Sequence, residues 1–141
     1  MGVIPWSTLA GGWLSGRFGS GKENASRRAE RLPGRYDMSL PANQRKLEAV
    51  DKLAEVAEAT NLTMVELALA FVLAHPAVTA PIIGPRTMGH LETQLRAAEL
   101  TLDGATLDRI DEIVPPGTTI SPDDRGYQPA ALTEPRLRRR S

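Results

Sequence analysis

Two short stretches of the chain carry residue types suited to holding an anion. In the first, Gly11, Gly12 and Gly16 punctuate the run Ser7-Thr8-Leu9-Ala10-Gly11-Gly12-Trp13-Leu14-Ser15-Gly16-Arg17. Lacking Cβ atoms, such glycines let a backbone approach a phosphate and present its N–H groups. In the second, Gly84-Pro85-Arg86-Thr87 joins a tight turn to a Thr that opens a helix. The free N–H groups of a helix start favour an anion. Arg86 adds a planar, fork-shaped cation that matches phosphate geometry. Spacing alone leaves plainer readings open: an ordinary glycine-rich loop, and a capped helix with an idle surface arginine.

Other chemistries find less material. The 141 residues include no cysteine, which removes disulfides, thiol nucleophiles and thiolate metal sites. His75 and His90 are too few and too far apart for a zinc cluster.

The two turns need elements to aim them. Each directly follows an apolar stretch that reads as a short strand, 2–6 for the first and 78–83 for the second. Pro5 warns of a strand end. A polar, Arg-rich stretch over 18–41 reads as a long mobile loop. Helical spacing of Leu47, Val50, Leu53, Ala54 and Ala57 predicts an amphipathic helix over 43–60, stopped at Asn61. Thr63 and Glu66 form a capping-box pattern that opens a helix running to Ala74 and ended by Pro76. That helix is apolar nearly all round and is expected to be mostly buried. A further helix is expected from Thr87 to about Ala98, with Leu91, Leu95 and Ala98 on one face. Asp103 caps a last helix with Leu107, Ile110 and Val114 on its inner stripe, stopped by Pro115-Pro116-Gly117. The remainder, 118–141, reads as an irregular tail rich in Pro and Arg. Strand, turn, helices, strand, turn, helices is the order of βα units from a parallel sheet, in which ligands bind at the carboxyl ends of the strands.

Seventeen basic and seventeen acidic side chains cancel. A nucleic-acid partner is therefore not expected, despite Arg136, Arg138, Arg139 and Arg140 in the tail. No apolar run reaches the roughly 18 residues of a membrane span. The N-terminus lacks the basic start and long apolar core of a signal peptide. A soluble, cytoplasmic protein is expected.

Taken together, these segments resemble a known family. The run Gly2-Val3-Ile4-Pro5-Trp6-Ser7-Thr8-Leu9-Ala10-Gly11-Gly12-Trp13-Leu14-Ser15-Gly16 is similar to strand seven and its loop in the aldo-keto reductases. Leu67-Ala68-Leu69-Ala70-Phe71-Val72-Leu73, then Ile82-Ile83-Gly84-Pro85-Arg86-Thr87, resembles their penultimate helix and strand eight. Leu107-Asp108-Arg109-Ile110-Asp111-Glu112-Ile113 matches their closing helix. The resemblance implies an α/β fold: the C-terminal segment of a (β/α)8 TIM barrel, strands seven and eight with their helices, mostly helical by residue count. It assigns 1–117 to a partial NADP-dependent oxidoreductase domain and leaves 118–141 as the tail.

The family reduces carbonyls with NADPH. Its catalytic Asp, Tyr, Lys and His lie in the first half of the barrel, ahead of the stretch that matches, so no catalytic residue carries over. Tyr36 and Tyr127, with Lys22, Lys46 and Lys52, read as ordinary loop, tail and surface residues. What carries over is a cofactor site for NADP(H). Trp6 would stack on the nicotinamide, and Ser7, Leu9, Gly11 and Leu14 would wrap its ribose and the pyrophosphate. Gly84, Arg86 and Thr87 would hold the adenosine 2′-phosphate, with His90, Thr93 and Gln94 toward the adenine. Thr8 stands where the family usually has Pro, which loosens the turn slightly; His90 departs from its Gln and Gln94 from its Asn, which alters reach on the adenine side. The implied function is a truncated reductase, inactive alone for carbonyl reduction. The alternative is a non-catalytic helical module, or a half-barrel that pairs with the missing N-terminal half or with itself.

Overall fold

The computed structural model describes residues 2–19 and 27–124. Lys22, Tyr127 and the tail arginines lie outside the described residues, as does the tail's structure from residue 125 onward.

The two apolar stretches run side by side and parallel. Val3 pairs with Val78, donating to the Ala77 carbonyl at 2.8 Å and accepting from the Thr79 N–H at 2.8 Å. Further along, the Ile82 N–H donates to the Pro5 carbonyl at 2.9 Å. Gly2 permits the close approach, since a Cβ there would collide with the Thr79 hydroxyl. The expected strands are nevertheless not formed: among the described residues there is one isolated bridge and no regular strand. Pro5 and Pro81 each remove a ladder donor, and a parallel pair depends on covered faces and further neighbours.

Five helices follow: α1 (Arg27–Arg31), α2 (Pro41–Ala59), α3 (Met64–Ala74), α4 (Met88–Arg96) and α5 (Gly104–Ile113). Helix α2 begins two residues before the expected start because Pro41 suits the first helical turn. It stops as expected where Asn61 turns left-handed at φ 56°. Its buried side differs from the expected stripe: Ala49 and Val56 are buried, whereas Ala54 is exposed. Helix α3 carries the full capping box and ends at Ala74, because His75 precedes Pro76 and is driven extended. It is buried over its first half only; Phe71 and Ala74 are exposed. Helix α4 is shorter than expected and passes into a 3-10 turn at Ala97–Glu99. The apolar face of Leu91, Leu95 and Ala98 is only partly covered: Leu91 is half-buried, Leu95 is 56% exposed and Ala98 is exposed, while the neighbouring Ala97 is fully buried. Asp103 caps α5 as expected, accepting from the Thr106 N–H at 2.8 Å.

Two apolar clusters result. Val56, Ala57, Leu67, Ala70, Leu102 and Ile110 join α2, α3 and α5. Trp13, Phe18, Tyr36, Val50 and Met64 join the glycine loop to α2 and α3. The second cluster corrects the reading of a mobile loop for the described parts of 18–41. Phe18 and Tyr36 are buried, α1 and a 3-10 turn at Pro33–Arg35 break the stretch, and Asn43 ties it down. Its buried amide donates to the Gly34 carbonyl at 2.9 Å and the Asp37 carbonyl at 2.8 Å. The first tail residues are anchored too: Asp124 pairs with Arg35 at 3.2 Å and with Lys46. No single helix among the described residues is long and apolar enough to cross a membrane.

Candidate functional site

Parallel pairing fixes where the two turns lie. Because 2–6 and 78–83 run in the same direction, residues 6–9 and 83–87 leave the pair at the same end. The Thr8 hydroxyl donates to the Ile82 carbonyl at 3.4 Å, linking one exit to the other. The anion-suited features of the sequence therefore converge on one edge of the molecule.

At the first exit Ser7 takes a left-handed backbone, φ 57°, and throws the chain into a 3-10 turn at Ala10–Gly12. Such a conformation costs of order 1–3 kcal/mol in a non-glycine residue and needs surroundings that enforce it. The Ser7 hydroxyl accepts from the Gly11 N–H at 3.2 Å. Gly11 and Gly12 adopt φ of 71° and 111°, which explains glycine at both places. Trp6 precedes the turn with its ring 79% exposed, so a flat apolar surface is free beside it. Leu14 turns away from this edge and packs against the aromatic cluster. Leu9 is half-buried, and its carbonyl accepts from the Gly12 N–H at 2.8 Å.

Sequence reasoning missed what holds the glycine loop. The Tyr36 hydroxyl donates to the Gly11 carbonyl at 2.8 Å. Its ring stacks with Trp13 at 5.8 Å and Phe18 at 5.5 Å between centroids, and Trp13 with Phe18 at 4.7 Å. Lys46 Nζ lies 5.4 Å from the centre of the Trp13 ring. Tyr36 and Lys46 are thus parts of a buried scaffold, not the loop and surface residues they resembled. Trp6, Trp13 and Phe18 fall within or beside this loop, but nothing local in the sequence ties Tyr36 to Gly11.

At the second exit Gly84 has open space where a side chain would stand. Arg86 is exposed. Thr87 caps α4, its hydroxyl accepting from the His90 N–H at 3.2 Å. Helix geometry leaves the Met88 and Gly89 N–H groups without intrahelical acceptors. On the same helix the Thr93 hydroxyl donates to the Gly89 carbonyl at 2.9 Å. Gln94 Oε1 is buried and lacks a partner among the described residues. Thr93 also lines a groove of about 800 Å³ between α4 and the α2–α3 junction; Trp6, Gly84 and Arg86 lie outside it.

Electrostatics concentrate where α4 meets α3. The Glu66 side chain is 4% exposed, and its Oε1 lies 3.3 Å from Arg96 Nε. Its Oε2 accepts from the Thr63 N–H and hydroxyl, both at 2.8 Å. Burial pushes the Glu66 carboxyl up, but the Thr63 donors and the Arg96 cation outweigh it and hold the group below the usual carboxylate range.

An exposed Trp6, a glycine turn and an exposed Arg86 beside a helix start thus lie at the end where both extended stretches finish. Known proteins bear on this arrangement. The aldo/keto reductase family profile matches residues 1–115. An uncharacterized oxidoreductase, YrpG of Bacillus subtilis, is 37% identical over 115 residues, covering 82% of this chain and 32% of that protein. A putative voltage-gated potassium channel subunit beta of Schizosaccharomyces pombe is 30% identical, covering 80% and 34%. The aldo-keto reductase yakc [NADP(+)] of the same yeast is 29% identical, covering 78% and 32%. The chain spans about a third of the length of these relatives. With the profile matching most of its length, the chain belongs to the aldo/keto reductase family.

Proposed function

We propose that this chain is the cofactor-holding segment of an NADP-dependent aldo/keto reductase and does not reduce carbonyls by itself. The observation that carries the reading is the parallel pairing of 2–6 with 78–83, which brings the two phosphate-suited turns to one edge. In parallel α/β proteins that edge is where ligands bind, and barrels often hold phosphate after strands seven and eight. The printed name of the yeast relative, aldo-keto reductase yakc [NADP(+)], supports the choice of NADP.

On this reading Trp6 covers one face of the nicotinamide, and Ser7, Leu9 and Gly11 line its ribose and the pyrophosphate. Leu14, turned into the aromatic cluster, braces that loop from behind. Gly84 leaves room for the adenosine 2′-phosphate, Arg86 meets it with a charge-assisted bond, and Thr87 presents the helix start. His90, Thr93 and Gln94 take the adenine side. When bound, the reduced nicotinamide supplies hydride; the residues described here bind and orient it and shield one ring face.

Substrate protonation needs the family's remaining barrel strands, in whichever chain they lie. Exposed Val3, Ile4 and Ile82 on the extended pair support such pairing, since an uncovered parallel pair leaves backbone groups and apolar surface unmatched. The test is NADPH oxidation with a panel of aldehydes and ketones. The chain alone is expected to give none, and co-expression with the first two-thirds of the Bacillus relative is expected to restore turnover. Turnover by the chain alone, abolished in Tyr36→Phe, would overturn the reading.

A further inference from the structure

Helix α4 carries the phosphate-suited turn at its start, yet none of its nine residues is buried. Its placement comes from the half-buried His90, Leu91, Thr93 and Gln94 and from its two ends. At the N-terminal end the chain emerges from the extended pair. At the C-terminal end there are two attachments: Ala97, fully buried, and the Arg96–Glu66 ion pair.

Glu66 is an unusual anchor because its two oxygens have separate duties. Oε2 closes the capping box on Thr63 and is fully used there. Oε1 remains, and it faces Arg96 at 3.3 Å. The carboxylate is rooted in the core by α3, while the Arg96 side chain reaches it across the surface, 66% exposed. Arg96 also occupies the last turn of α4, where a cation suits the helix dipole. Thr87 stands about 13 Å away along the helix axis, so a tilt of roughly 10° at the latch moves it by about 2 Å. Hydrogen bonds to a phosphate do not survive such a shift.

We propose that Glu66 and Arg96 form a latch that sets the pitch of α4, making Glu66 a positioning residue for the turn at 84–87. The part of this concerning phosphate rests on the cofactor reading above. Capping and latching are separable by mutation. Glu66→Gln retains a side chain that closes capping boxes but removes the charge that holds Arg96. Arg96→Ala removes the latch from its exposed side and leaves the core and the cap untouched.

The test uses the full chain with two readouts, amide hydrogen exchange and titration with NADPH and NADH. Both substitutions are expected to speed exchange in α4 by about fivefold, the scale of a largely exposed ion pair. Exchange in α3 and α5 is expected to stay unchanged. NADPH affinity is expected to fall by about fivefold and NADH affinity far less, because only the 2′-phosphate senses the turn. Arg96→Lys restores both readouts, and the double variant is no worse than either single one. Unchanged α4 exchange in Arg96→Ala overturns the latch, and equal losses for NADPH and NADH overturn its positioning role. A wild-type chain that binds no NADPH contradicts the cofactor reading instead, and exchange alone then decides the latch.

Discussion

Glu66 is held in its charged form although it is buried, and the reason lies in what its oxygens touch. Its folded-state pKa lies below the ordinary carboxylate value because the Thr63 donors and Arg96 prevail over burial. Such a group adds stability that is fully present above its unfolded value and is lost as pH falls through the lower folded one. Thermal unfolding followed by circular dichroism from pH 7 to pH 3 is therefore expected to show destabilisation setting in near pH 4.5, the ordinary value for this group. The uncharged Glu66→Gln is expected to lose that component and show a shallower acid limb. Identical limbs in the two proteins would mean that the Thr63 and Arg96 contacts do not persist in solution.

Among the elements, the aromatic cluster decides whether the glycine loop has a shape at all. Trp13 and Phe18 come from one side of the loop and Tyr36 from a turn a score of residues away, and the Tyr36 hydroxyl closes on Gly11. Tyr36→Phe keeps the stacked ring and deletes one hydrogen bond, at an expected cost of about 0.5–1.5 kcal/mol. The measurable signs are a small fall in the denaturation midpoint and faster exchange of the Gly11–Ser15 amides, with α5 unaffected. This is also where the sequence was least legible. Helices α2, α3 and α5 could be read from their spacing and caps, because Thr63, Asp103, Asn61 and Pro76 act on their immediate neighbours. Tyr36 and Asp124 act across long separations, on Gly11 and Lys46, and no local pattern announces such contacts. On α4 the spacing of Leu91, Leu95 and Ala98 gave one apolar face, but spacing alone does not say how deeply a face is covered: Leu91 is half-buried, and Leu95 and Ala98 are exposed.

On the scale of the whole molecule, one alignment of two short extended stretches does the work of gathering the site. Trp6 and Arg86 are far apart in sequence, and parallel pairing sends the turns that carry them off the same end. The two turns were legible because glycine turns and helix starts have local signatures; their placement at one end followed from the order of βα units and from the family's fold. The central claim, that this edge holds NADP(H), is tested most directly by calorimetric titration of NADPH and NADH into the wild-type chain, Arg86→Ala and Trp6→Ala. A charge-assisted bond to the 2′-phosphate is worth about 1.5–3 kcal/mol. Arg86→Ala is therefore expected to weaken NADPH by roughly ten- to a hundredfold while sparing NADH. Trp6→Ala is expected to weaken both alike, because ring stacking does not sense the 2′-phosphate. Equal losses for the two cofactors in Arg86→Ala, or no binding of either by the wild type, would contradict the account.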